Sequence, residues 1–258
     1  MTEKAVKISS FGIIKGPMIA ESYACFRAWD WGLTKGQNFQ KLRAENLVGA
    51  STTAWLRDVS FAMSSRFDPD GLDKPLALLA MKDPGLDTWK HLLLWHWAQS
   101  EYLLRMFLLE WLGPRVREGH IRFKPDEVVP SLEKLWRRGG PVDEAWTEAT
   151  TKRVATGLLK IAAAFGLMEG GTVKTLAPYH LPEPCFLYVL RALLDREGSA
   201  NKAVKSPDWG VFLMEPHAVK QELLRLHQYR KLEYHAAGTL VELTMPQRNL
   251  LDLVNGWT

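Results

Sequence analysis

The chain has 258 residues, 47% hydrophobic and 24% charged, with 33 Lys and Arg against 29 Asp and Glu. That composition excludes disorder, collagen and coiled coil and suits one large domain or two small ones. A net charge of +4 with a pI near 9.0 permits a nucleic-acid partner without demanding one.

Periodicity is helical nearly throughout, with Gly and Pro as punctuation. A first helix is expected after Gly16-Pro17, running to Trp29, and a second from Gln37 to Leu47. Gly49-Ala50-Ser51 reads as a short turn. Ser51 or Thr52 then caps a third helix from Thr53 to Arg66, so that this pair has a helix-turn-helix outline. The acid-rich DPDGLD, with Asp68, Asp70 and Asp73, lacks the downstream acidic ligand of a calcium loop and reads as a surface turn.

Leu76 to Met81 and a long central helix from Thr88 to Leu112 follow. The stretch from Leu92 to Leu112 has membrane-spanning length, but His96, Glu101, Arg105 and Glu110 would each have to enter hydrocarbon, at about 2.5 kcal/mol or more per central charge. It is therefore expected to be a buried helix, with Glu101 and Arg105 as an i, i+4 pair. With two widely spaced cysteines, Cys25 and Cys185, and an N-terminus of MTEKAVKISS, a reduced, cytoplasmic protein is expected.

Pro125 opens a helix that should end at 137–140. Beyond Pro141 comes the clearest local signal, a helix capped by Thr147 and continuing to Phe165. Val154, Leu158, Ile161 and Phe165 share one face, and Lys152, Thr156 and Lys160 the opposite one. Helices from Pro184 to Leu194, Asp208 to Met214 and Pro216 to Gln228 lead into a hairpin from Leu232 to Leu243, a helix-plus-hairpin outline of winged-helix type. The expected fold is mainly α, a multi-helix globule divided into residues 1–124 and 125–258.

No phosphate loop, nucleophile elbow or His-Glu-x-x-His occurs. His91 and His96 are five apart and diverge on a helix, so no shared metal is expected, and neither a cofactor nor a small-molecule substrate. What the sequence offers is a binding surface. A helix-turn-helix reader needs small or hydrogen-bonding side chains early on its second helix, flanked by Lys, Arg, Ser or Thr for phosphates. Thr150, Thr151, Lys152, Arg153, Thr156 and Lys160 fit best. Lys41, Thr53 and Arg57 fit less well, because Asp58 and Phe61 interrupt their face; Lys231 and His235 could lie along a backbone from the hairpin. The expectation is a non-enzymatic protein that binds double-stranded DNA. A scaffold reading rests on the eleven Trp, notably Trp95, Trp97 and Trp111.

Four blocks also resemble a known family. They are FGIIKGPMIAES with Phe11, Gly16, Glu21 and Ser22; AENLVGASTTAWLRDVSFAMSSRF with Asn46, Ser51, Thr52, Thr53 and Arg66; WTEATTKRVATGLLKIAAAFGLM with Trp146, Thr147, Thr150, Arg153, Leu158, Phe165 and Gly166; and SPDWGVFLM with YHAAGTLVELT, at Trp209, Phe212 and Gly238. Their order and spacing resemble the BrxA family, the A component of BREX bacteriophage-exclusion systems. The resemblance implies a helical, cytoplasmic protein that binds double-stranded DNA through helix-turn-helix elements beside a methyltransferase, an ATPase and other defence components. It implies no catalytic residues. The nearly balanced charge departs from a strongly basic binder and argues against tight sequence-independent affinity.

Overall fold

In a computed structural model that describes residues 8–137, 145–238 and 240–257, the helical period of the sequence becomes a mainly α fold with two small antiparallel sheets. A short helix that periodicity did not announce comes first: α1 (Ser10–Lys15), its start capped by the Ser9 hydroxyl, which accepts from the Phe11 N–H. α2 (Ile19–Arg27) begins just after Pro17. α3 (Lys35–Glu45) opens on a capping box in which the Thr34 hydroxyl accepts from the Gln37 N–H and the Gln37 side chain accepts from the Thr34 N–H. Asn46, left-handed at φ 48°, ends it and braces the turn through Ala50. α4 (Thr53–Arg66) has the predicted bounds, with Thr52 as its cap.

α5 (Lys74–Ala80) leads into α6 (Leu86–Ser100), where the expected single central helix breaks. Glu101 turns extended (φ −101°, ψ 100°), and the chain restarts as α7 (Tyr102–Met106), a π-helical stretch Phe107–Leu112 and α8 (Gly113–Arg117). The cause is a polar group that burial must satisfy. The Glu101 carboxylate accepts from the Leu103 N–H at 3.3 Å, capping the new helix, while the charge of buried Arg66 acts on it. Arg105 leaves the expected pair with Glu101 and binds Asp208 at 2.6 Å.

Next come β1 (Arg122–Phe123), α9 (Pro125–Arg137), α10 (Glu148–Ala164), β2 (Met168–Glu169) and β3 (Lys174–Leu176). The end expected for α9 at 138–140 lies outside the described residues. The three strands form an antiparallel sheet in the order β1-β3-β2, with Arg122 opposite Thr175 and Met168 opposite Leu176. This pairing crosses the division expected at 124/125. The remainder comprises α11 (Glu183–Glu197), α12 (Ala200–Val204), a 3-10 turn Pro207–Phe212, α13 (Pro216–Gln228), the hairpin β4 (Glu233–Ala237) with β5 (Leu240–Thr244), and α14 (Leu250–Asn255). The hairpin was expected; the three-stranded sheet was not.

α6 is the spine of the core. Trp89, Leu92, Leu93, Leu94 and Trp97 are all fully buried, and α2, α5, α7 and α11 pack around them. Trp95 and Trp111 are buried as well, so the three tryptophans that favoured a scaffold surface are core residues. Two buried polar clusters tie distant segments together. His96 joins Asp73 (2.6 Å) to the Tyr188 hydroxyl (2.9 Å), which moves Asp73 of DPDGLD from the expected surface turn into the interior. Asp208, fully buried, is clamped by Arg105 and Arg196; burial works against its charge, but the two guanidiniums hold its carboxyl below the usual range.

Candidate nucleic-acid interface

α10 is positioned by an apolar face the sequence already displays: Val154, Leu158, Ile161 and Phe165 are each fully buried. Thr147 caps it, its hydroxyl accepting from the Thr150 N–H at 3.2 Å. Against this helix pack α9 on one side and α1 on another. The contact with α1 depends on Gly157, where a Cβ would stand 2.9 Å from both the Ile13 Cγ2 and its carbonyl oxygen. Gly166, at φ 83°, then turns the chain into β2.

The predicted outward residues divide. Arg153 and Lys160 are exposed and, among the described residues, form no ion pair. Lys152 is exposed but bound to Glu148 at 2.8 Å, a contact that raises the lysine and lowers the carboxyl from their ordinary values. Thr156 is half-buried and donates to the Lys152 carbonyl at 2.8 Å, while Thr150 lies against the Thr147 hydroxyl. Thr151 belongs inside: it is 4% exposed, its hydroxyl spent on the Thr147 carbonyl. A shallow groove of ≈ 330 Å³ here is lined by Lys152, Arg153, Thr156, Gly157 and Lys160 with Ile14 of α1.

The other predicted residues are dispersed. Thr53 and Arg57 are exposed on α4, in a groove shared with Arg43, Ser60 and Phe61. Arg43, which the sequence reading passed over, reaches into it by donating to the Ser60 hydroxyl at 2.8 Å. Lys41 does not line this groove; it faces Asp30 at 3.9 Å. His235 sits on β4 of the C-terminal hairpin and Lys231 just before it, the lysine 3.9 Å from Glu183 and the imidazole edge-on to His227. They share no groove with α10. No signal in the local pattern announced α1 or the short strands as part of this region, since elements of two to six residues are too short to show a period.

Residues 10–191 match the BrxA family, and that span includes α1, α4, α10 and the three-stranded sheet. The chain belongs to the BrxA family. Its place is therefore in BREX phage defence. The BrxA match stops short of α13 and the hairpin, so Lys231 and His235 lie beyond it. Neither the curated proteins nor the solved structures contain a match to this BrxA chain. Among the described residues no helix is long and apolar enough to cross a membrane, and no group of three or more His, Cys, Asp or Glu side chains is placed to hold a metal ion.

Proposed function

We propose that this BrxA-family chain is a non-enzymatic, duplex-DNA-binding subunit of a BREX system, working in the cytoplasm beside other components such as the methyltransferase and the ATPase. The observation that carries the reading is the order β1, α9, α10, β2, β3 with its β1-β3-β2 sheet. That order supports a winged helix-turn-helix reading, in which α10 would be the groove-reading helix and residues 170–173, between β2 and β3, the wing. The arrangement supports the reading because the same helix that the topology presents carries two unpaired cations, Arg153 and Lys160, on its outer side.

Phosphate contacts by Lys and Arg release counterions, so affinity should fall steeply as salt rises. Fluorescence-anisotropy titration of a labelled duplex at about 50 and about 200 mM salt tests this. Binding that weakens by one or more orders of magnitude over that interval fits a handful of phosphate contacts. No binding at micromolar protein in the lower salt would refute the proposal.

A further inference from the structure

From the cleft that runs between α8 and α13, we infer a docking site for one amphipathic helix with acidic flanks, supplied by another protein. The inference goes beyond the duplex-DNA reading, since no residue of α4 or α10 lines this cleft. Two grooves of ≈ 390 and ≈ 460 Å³ compose it, and Val116, Leu213 and Met214 line both. One wall is α13. Its Pro216 and Val219 line the first groove, while Ala218, Gln221, Glu222 and Arg225, at helical spacing, line the second. From Pro216 to Arg225 that wall is about 14 Å long, enough for the roughly 10 Å that an apolar stripe at i, i+3 or i+4 and i+7 occupies.

The floor is apolar, and its backbone departs from regular structure. Leu108 and Leu109 belong to the π-helical stretch Phe107–Leu112. Leu213, where the two grooves meet, is held left-handed at φ 56°, a region that favours glycine. Departures of these kinds are disfavoured in themselves and collect at functional sites. Met214, half-buried beside Leu213, is an unbranched side chain able to adapt to an apolar occupant.

What the cleft can hold follows from its backbone and its charges. An extended peptide needs a free strand edge to pair with. Here β3 is the central strand of its sheet, and the Leu176, Ala177, Leu213 and Met214 N–H groups already donate to the Ile121, Leu167, Gly210 and Trp209 carbonyls. A helix satisfies its own backbone and asks only for the apolar floor. The acidic flanks follow from the rim. Among the described residues, the two carboxylates that line the cleft, Glu215 and Glu222, are bound to Arg117 and Arg225. Lys205, which lines the first groove, and Lys220, one turn beyond Pro216, are exposed and form no ion pair among the described residues. Unpaired positive charge at the rim of an apolar floor complements a helix whose apolar stripe is bordered by Asp or Glu.

The test uses two fluorescein-labelled, hydrocarbon-stapled helical peptides of about 16 residues with the same Leu stripe at i, i+3, i+4 and i+7. One carries Glu and the other Lys beside the stripe, and each is titrated with the full chain by anisotropy. At about 50 mM salt the acidic peptide should bind at least tenfold more tightly than its basic twin, a gap that narrows as salt rises. Lys205→Glu combined with Lys220→Glu should remove that preference. Ala218→Trp, which fills the second groove, should weaken the acidic peptide by about tenfold or more. Ala218→Glu, which sets a carboxylate in the groove, is the substitute should the Trp variant fail to fold, with the same direction expected. The proposal is overturned if neither peptide binds, if the twins bind alike, or if both Ala218 variants bind the acidic peptide as the wild type does, which would place it elsewhere, on the cations of α10. A dimer in sedimentation equilibrium that Ala218→Trp dissociates would make a second copy of this chain the occupant and overturn it equally. None of these outcomes bears on duplex binding.

Discussion

Replacing Gly157 by Ala sets two effects of opposite sign against each other. In a helix interior, Ala is better than Gly by about 1 kcal/mol. Here, however, the added methyl would stand 2.9 Å from the Ile13 Cγ2 and 2.9 Å from the Ile13 carbonyl oxygen. The methyl could rotate away, but the carbonyl is backbone and already accepts from the Gly16 N–H. It also belongs to the segment whose Gly12 and Gly16 carbonyls are held by Arg66 at 2.6 and 2.7 Å. Overpacking of this kind costs about 1 to 3 kcal/mol. The net expectation is a loss of about 1 kcal/mol, equivalent to roughly 2 to 4 °C in a domain of this size. Gly36→Ala is the matched control: in α3, where nothing lies within 4 Å of the new Cβ, it should be neutral or stabilising by up to about 1 kcal/mol. Urea unfolding midpoints of the two variants and the wild type decide it. A Gly157→Ala protein as stable as the wild type would mean that α1 is not seated on α10 as described.

Asp208→Ala should cost about 1.5 to 3 kcal/mol, because it removes charge-assisted hydrogen bonds to Arg105 and Arg196, whose guanidiniums keep access to solvent; a stability loss under about 0.5 kcal/mol in urea would show the clamp to be unimportant. Burial, aided by nearby Lys90, lowers the His91 imidazole to about 4 from its ordinary 6.5. The unfolded chain therefore takes up a proton near pH 6.5 that the folded chain refuses until about pH 4, and stability falls as pH drops through that interval. Between pH 7 and pH 5 His91 should account for a loss of roughly 2 kcal/mol, read as the difference in urea stability between the wild type and His91→Gln, which keeps a partner for the Tyr179 hydroxyl. Equal pH dependence of the two proteins would contradict it.

Much of the helical pattern was legible because apolar residues at a 3.6 period leave little choice of buried face. α4 and α10 emerge with nearly their predicted bounds, capped by Thr52 and Thr147. The central helix was read as unbroken because nothing in the apolar run from Leu92 to Leu112 shows that Arg66, thirty-odd positions earlier, sits buried beside Glu101. Burial holds that guanidinium down to about 10. Asp73 of DPDGLD was misread for the same reason, since its partner His96, which in turn holds the Tyr188 hydroxyl, comes from far along the chain, while Asp68 and Asp70 do lie on a surface turn. The strands of the three-stranded sheet escaped notice because β1 and β2 have two residues each and β3 three, too few to alternate. At the site, the wheel located Lys152, Thr156 and Lys160 on the outer face. It could not foresee that Thr151 turns inward, or that α1 packs between this face and Phe61.

The claim that α10 faces DNA is tested most directly by a single reporter thiol. Cys25 and Cys185 are buried, and burial pushes both thiols up to about 12, so the folded protein should be unreactive to alkylation at pH 8. Ala149→Cys places a thiol at an exposed position in the first turn of α10, and Gln221→Cys places one at an exposed position on α13. With a saturating duplex, alkylation at position 149 should slow at least tenfold while that at 221 stays within about twofold of its free rate. A DNA-bound protein in which position 149 reacts as fast as in the free protein would contradict the account.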